Sequence, residues 1–233
     1  MTMDAERLRI NSLARCALFA SVPVETLATV ARQMRGRRFG RNEVIFHQGD
    51  PGDALYIISD GSVKILLHST EGEEAIIATL RPGDFFGELS LLDREPRSAT
   101  AKALEPTEAW ELPREALRRL IDADVGLRDA LLTALSTKLR RATGHVEELH
   151  FLDLAGRLAL RLVRLAAESN PEGASTVRLD WPYTQSDLAS MIGGTRQSVN
   201  RLLSGLEADG LVRIERDTLV ITDMERLAAR AEH

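Results

Sequence analysis

Phe85-Phe86-Gly87-Glu88-Leu89-Ser90-Leu91-Leu92, followed by Asp93-Arg94-Glu95-Pro96-Arg97-Ser98-Ala99-Thr100-Ala101, is the densest chemical constellation in the chain. Gly87 lets a backbone come close to a ligand. A short helix opening behind it would aim free N–H groups at an anion. Arg97 supplies a planar fork of donors suited to phosphate oxygens, and Ser98 adds a hydroxyl. Glu88, when ionised, only accepts, so it should seek hydroxyl donors rather than the phosphate. A donor cluster plus one carboxylate suits a ribose phosphate. The residues alone leave a second reading open, a barrel turn braced by a structural Glu88–Arg97 pair.

The surroundings of this stretch read as β. From 37 to 112, short apolar runs at 44–46, 55–58, 63–67 and 75–80 alternate with turns at Gly49, Gly61, Gly72 and Gly83. Those glycines lie 12, 11 and 11 residues apart, the rhythm of a jelly-roll sandwich or barrel. Gly49-Asp50-Pro51-Gly52-Asp53, Asp60-Gly61 and Pro82-Gly83-Asp84 carry turn chemistry. Upstream, residues 6–36 read as helical, with a helix start at Ser21–Pro23. Four arginines within 35–41 read as a solvated face.

Downstream, residues 114 to about 150 read as one long helix without internal proline. Leu127, Leu131, Leu135, Leu139, Ala142, Val146 and Leu149 form a stripe with steps of 4, 4, 4, 3, 4 and 3. The alternation of 3 and 4 is coiled-coil-like. Such a helix can lie on its own barrel or pair with a second chain; its length favours pairing. A helical unit at 155–169, a loop Asn170-Pro171-Glu172-Gly173 and a strand at 177–181 follow.

The second constellation runs from Thr184-Gln185-Ser186-Asp187 through Gly193-Gly194-Thr195-Arg196-Gln197-Ser198-Val199-Asn200-Arg201-Leu202-Leu203. Thr184 and Asp187 have capping-box spacing. Gly193-Gly194 breaks the first helix and Thr195 caps the next. On a wheel of about 100° per residue with Arg196 at zero, Asn200, Gln197 and Arg201 fall near about 40°, 100° and 140°. Val199, Leu202, Leu203 and Leu206 gather between about 240° and 340°. The polar arc suits the major groove, because Arg matches guanine O6 and N7 and Gln matches adenine N6 and N7. A solvated surface helix would share that wheel. The helix–glycine–helix order and a hairpin at 211–220, turning at Glu215-Arg216-Asp217, outline a winged helix-turn-helix.

Composition narrows the field. The chain has 233 residues, 44% hydrophobic and 28% charged, with a formal net charge of −5, so it is not a uniformly basic nucleic-acid coat. Residues 153–233 hold 10 arginines and 12 acidic residues, so DNA affinity must come from local placement. A single cysteine, Cys16, excludes a disulfide framework or a cysteine-built cluster within one chain. His47, His68, His145 and His150 show no metal-like pairing. No apolar run approaches the ~20 residues of a membrane span. The start, MTMDAERLRINS, has no apolar signal core, so a cytoplasmic protein is expected. Of 30 basic residues 27 are arginine, which makes any single arginine weak evidence. No triphosphate P-loop and no Ser-His-Asp or metal-hydrolase spacing is present, so the chain reads as no enzyme.

The first constellation resembles the phosphate-binding cassette of cyclic-nucleotide-binding domains. With the long helix and the winged helix-turn-helix, nearly the whole chain resembles the cyclic-AMP receptor protein and fumarate-nitrate regulator (Crp-Fnr) superfamily of bacterial transcription factors. The resemblance implies an α+β chain with a sensor jelly roll at 1–113, a dimerisation helix and hinge at 114–152, and a DNA-binding domain at 153–233. It implies that Phe86, Gly87, Glu88, Leu89, Arg97 and Ser98 hold the ribose and cyclic phosphate, with Thr143 left to the base. Ungapped counting back from Phe151-Leu152-Asp153 puts Ala142 and Thr143 where the family's adenine-binding Thr-Ser stands, so one hydroxyl is missing. The effector implied is cyclic AMP, with cyclic GMP, a cyclic dinucleotide or ligand-free activity as alternatives. A regulatory subunit of an enzyme is the remote alternative. The resemblance further implies a homodimer paired along 127–149, RNA polymerase as a partner, and no membrane. A near-palindromic double-stranded DNA operator would be touched by Gln185, Ser186, Thr195, Arg196, Gln197, Asn200 and Arg201, with half-sites ~34 Å apart. The oxygen-sensing branch needs several cysteines, and Cys16 alone excludes that mechanism. Gln197 stands where the cyclic-AMP receptor protein has glutamate, which shifts the base preferred there.

Overall fold

A computed structural model describes residues 2–20, 22–169, 175–215 and 218–231, the side chains of 2–6, 168, 169 and 180 excepted. The chain divides into two compact units, Met1–Arg140 and Arg141–His233.

The first unit opens with helix α1 (Thr2–Arg15), a 3-10 turn (Ala17–Phe19) and helix α2 (Val24–Ala31). Pro23 stands at the N-cap of α2; Ser21, read as part of that helix start, lies outside the described residues. Eight strands follow: β1 (Arg35–Phe39), β2 (Val44–Phe46), β3 (Ala54–Asp60), β4 (Val63–His68), β5 (Glu74–Leu80), β6 (Phe85–Phe86), β7 (Thr100–Ala103) and β8 (Thr107–Pro113). A five-residue helix, α3 (Leu89–Asp93), separates β6 from β7. The strands form two four-stranded sheets, ordered β1-β8-β3-β6 and β2-β7-β4-β5. Gly49, Gly61, Gly72 and Gly83 have φ values of 88°, 79°, 86° and 95°, the left-handed geometry that glycine adopts freely.

β3 shows how the sheets pack. Ala54, Tyr56 and Ile58 face a core between the sheets, shared with Val63, Leu80, Phe86, Ala101 and Ala103. Leu55 and Ile57 face the opposite side, where Leu13, Phe19, Leu27, Leu117, Leu127 and Leu131 bury them under helices. One strand with alternating side chains thus serves two cores. Arg37 and Arg38 of β1 pair with Glu111 and Glu108 across the β8 register at 3.1 and 2.8 Å.

The single long helix expected from residue 114 is two helices, α4 (Arg114–Ala123) and α5 (Val125–Phe151). Asp124 breaks them: it is extended, with φ −124° and ψ 111°, and its Oδ1 accepts the Leu127 N–H at 2.9 Å. An aspartate at an N-cap competes with helix continuation in this way. The apolar stripe also divides. Leu127 and Leu131 are buried against their own unit, which removes them from any pairing surface. Leu132, Leu139, Val146 and Leu149 are exposed.

The second unit contains the end of α5, then α6 (Leu154–Ser169), β9 (Val177–Asp180), α7 (Gln185–Ile192), α8 (Arg196–Ala208), β10 (Val212–Glu215), β11 (Thr218–Ile221) and α9 (Met224–Arg230). The three strands form one antiparallel sheet, ordered β10-β11-β9. Helix α9 was not expected; Asp223 caps it by accepting the Arg226 N–H at 3.0 Å. The loop 170–173 and the hairpin tip 216–217 lie outside the described residues. No described helix is long and apolar enough to cross a membrane.

Candidate anion cradle and nucleic-acid interface

β6 pairs with β3 and delivers the chain to Gly87. Gly87 has φ +82°, and a Cβ there would sit 2.6 Å from Arg97 Nη1 and 3.2 Å from the Ala54 carbonyl oxygen. Only glycine fits both the backbone and the close approach. Glu88 follows at the N-cap of α3 and is 3% exposed. The main chain at Arg97 is pinned by its N–H to the Asp50 carbonyl at 2.8 Å, and its carbonyl accepts the Gly49 N–H at 2.9 Å.

The Arg97 side chain is 4% exposed. Nη1 donates to the Gly87 carbonyl at 2.7 Å and Nη2 to the Ala54 carbonyl at 2.8 Å. Nε is buried and has no partner. Burial pushes the guanidinium pKa down, against the pull of Tyr56 and Asp53. Among the described residues no carboxylate comes within ion-pair distance of Arg97. A buried cation held by neutral carbonyls, with Nε unpartnered, is suited in chemistry and sign to an anion such as phosphate.

The Glu88 carboxylate does not brace Arg97. Lys138 of α5 holds it, with Nζ 2.8 Å from Glu88 Oε1 and 3.2 Å from the Phe85 carbonyl. The ammonium also lies 4.4 Å from the Phe85 ring centroid. Glu88 was expected to await hydroxyl donors; a buried carboxylate needs a partner whether or not a ligand is bound. Reasoning from the sequence passed over Lys138, because its partner is 50 residues away. The available signal was that it is one of only three lysines in an arginine-rich chain.

The remaining cradle residues are spread more widely. Phe86 is buried and stacks on Tyr56 at 5.2 Å. Leu89 and Ser98 are exposed beside the cassette, and Thr143 is exposed on α5 in the other compact unit. Among the described residues no three of His, Cys, Asp and Glu converge as metal ligands.

In the second unit both helix starts carry their caps. The Thr184 N–H donates to Asp187 Oδ2 at 2.9 Å, and the Asp187 N–H returns to Thr184 Oγ1 at 3.1 Å. α7 ends at Gly193, φ +68°. Thr195 Oγ1 accepts the Ser198 N–H at 3.1 Å and starts α8. Val199, Leu203 and Leu206 are buried, while Arg196, Gln197, Asn200 and Arg201 are all exposed. Asn200 Nδ2 donates to Gln185 Oε1 at 3.3 Å, and Ser186 and Thr195 are exposed. Three other exposed arginines in this unit are paired with carboxylates: Arg178 and Arg213 share Glu215, and Arg230 holds Asp209. Among the described residues no carboxylate pairs with Arg196 or Arg201, so the α8 face keeps its positive charge for a polyanion.

These two sites, in this order, define a class: a sensor domain of the nucleotide-binding type joined to a DNA-binding helix-turn-helix. The cyclic nucleotide-binding domain family matches residues 36–124, and the Crp-like helix-turn-helix domain family matches residues 156–230. A CRP-like cAMP-activated global transcriptional regulator of Mycobacterium tuberculosis is 35% identical over 219 residues, covering 94% of this chain and 98% of that protein. The cAMP-activated global transcriptional regulator Vfr of Pseudomonas aeruginosa is 34% identical over 193 residues, covering 79% of this chain and 88% of that one. The c-di-GMP responsive global regulator CLP of Xanthomonas campestris superposes with a TM-score of 0.73 at 25% identity, covering 85% of this chain and 99% of that one. The chain belongs to the Crp-Fnr superfamily, a family of transcription regulators rather than enzymes.

Proposed function

We propose that this regulator is a cytoplasmic homodimer whose grip on DNA is set by a 3′,5′-cyclic mononucleotide, cyclic AMP first among them, bound in the first unit. The observation that carries the reading is Arg97: buried, without a carboxylate, and with Nε unpartnered. A cyclic phosphodiester carries a single negative charge, the charge this cation lacks. In this reading Nε and the Ser98 hydroxyl hold the phosphate with the backbone of Gly87 and Leu89, and Phe86 forms the wall. Glu88 takes the ribose hydroxyl while Lys138 keeps its charge balanced. Thr143 enters from the family resemblance, as the hydroxyl for the base.

The dimer reading rests on α5. Leu132, Leu139 and Val146 are spaced by seven, and Leu135, Ala142 and Leu149 repeat that spacing three residues on. This is the a/d pattern of a two-stranded coil, and its a residues are exposed to 58%, 69% and 59% in the single chain. Two α8 helices would then enter successive major grooves of a near-palindromic operator, with Arg196, Gln197 and Arg201 reading base edges. Gln185, Ser186, Thr195 and Asn200 lie in reach of the same face. RNA polymerase would be met by the DNA-bound dimer.

CLP, by its name a c-di-GMP responsive protein, supports a second reading in which the same cradle takes a cyclic dinucleotide or cyclic GMP. Calorimetry with cyclic AMP, cyclic GMP and c-di-GMP, on the wild type and on Arg97→Ala, tests both. One nucleotide binding to the wild type, with at least about a hundredfold loss in Arg97→Ala, supports the cradle. Binding that survives Arg97→Ala unchanged overturns it.

A further inference from the structure

The Arg97 guanidinium is compensated by an aromatic face where a carboxylate would be ordinary. Its Cζ lies over the Phe46 ring, 4.2 Å from the centroid. Phe46 ends β2 and belongs to a tier of rings between the two sheets. It lies 6.0 Å from Tyr56 and 5.9 Å from Phe86, while Tyr56 and Phe86 stack at 5.2 Å with 16° between their planes. Phe39 meets Tyr56 edge-on at 6.5 Å. The negative face of a ring attracts a cation, more strongly where water is excluded. Two carbonyls fix the Nη groups and the ring fixes the plane, so the guanidinium has little freedom left. Nε is the one nitrogen of the group with no partner.

We propose that Phe46 is a positioning residue for anion binding: its ring holds the Arg97 guanidinium against the aromatic tier so that the Nε–H edge stays free for one phosphate oxygen. This rests on the nucleotide reading of the cradle. The ring does two things at once. It offsets the cost of a buried cation that has no counter-ion, and it spares the cradle a carboxylate, which would repel the phosphate. A flexible arginine would have to be ordered on binding; one already held loses less entropy.

Phe46→Leu and Phe46→Trp separate the ring from its bulk. Leucine fills apolar space between the sheets without a π face, and tryptophan keeps the face. Cyclic AMP titrated calorimetrically into the full chain is expected to bind Phe46→Leu about tenfold more weakly and Phe46→Trp within about threefold of the wild type. The ligand-free protein carries an independent signature. The ring current of Phe46 shifts the Arg97 Nε–H proton resonance upfield, and Phe46→Leu returns it to the range of the other arginines. The signal is assigned by its loss in Arg97→Lys. Equal affinity in the wild type and Phe46→Leu, an unshifted Nε–H, or a Trp variant as weak as the Leu variant overturns the platform and leaves the cradle standing. A wild type that binds none of cyclic AMP, cyclic GMP and c-di-GMP overturns the cradle reading and the platform with it.

Discussion

Two cations sit at the cradle, and each is compensated in its own way. Arg97 is deeply buried and rests on carbonyls and the Phe46 ring. Lys138 keeps 37% of its side chain exposed and neutralises Glu88, whose side chain is 4% exposed. Removing the lysine would leave a buried carboxylate without its cation. Lys138→Met is therefore expected to lower stability by about 1–3 kcal/mol, toward the lower figure because one partner is solvated. Urea unfolding reads this out, and an unchanged midpoint would contradict the pairing. Cys16 offers a pH test. Burial pushes its thiol from 9.0 to about 11, against the hydrogen bond to the Leu18 backbone. The folded state then binds the thiol proton more tightly than the unfolded chain does. That contribution is complete below about pH 9 and is lost as pH rises toward 11, at up to about 1.4 kcal/mol per pH unit. Urea midpoints across that window should fall less steeply for Cys16→Ala than for the wild type; equal slopes would exclude the buried thiol. Among single residues the sequence singled out Gly87, Glu88 and Arg97 as cradle candidates by their chemistry and by the family resemblance. It did not disclose Lys138 or Phe46, whose contacts with the cassette span 50 and 51 positions and exist only in the folded sheets.

Elements were legible where local chemistry is strong. The four left-handed glycines, the Thr184–Asp187 box and the Gly193 stop each act within a few residues, and each could be read without the fold. The break at Asp124 was not, because one aspartate inside an otherwise helical pattern is ambiguous until the next helix uses its side chain as a cap. Helix α9 was missed for a related reason: it is seven residues long, too short for periodicity to declare itself. The division of the α5 stripe could not be seen either, since Leu131 and Leu139 look alike until one of them is buried. Leu131 is 5% exposed and Leu139 69%. That difference makes a prediction at the scale of the helix. Leu139→Glu places like charges at facing core positions of a two-stranded coil while leaving the barrel contacts of Leu127 and Leu131 in place. Sedimentation should find a folded monomer for Leu139→Glu and a dimer for the wild type. A Leu139→Glu dimer of unchanged affinity would remove α5 as the interface.

For the whole molecule, the family's logic becomes a question of free energy. A nucleotide changes DNA binding only through its different affinity for the states the chain adopts, and the coupling is reciprocal. α5 runs from the first compact unit, where Lys138 holds Glu88, into the second, where Leu149 lies beneath the Gly193 turn. One helix thus touches both the cradle and the turn before α8. Occupation of the cradle is expected to raise operator affinity about tenfold or more, the usual scale of such couplings. The direct measurement is fluorescence anisotropy of a labelled near-palindromic operator titrated with the full chain, with and without cyclic AMP. The account predicts tighter binding with the nucleotide and no such gain in Arg97→Ala; identical curves with and without it, up to millimolar cyclic AMP, would contradict the claim that this cradle governs the grip on DNA.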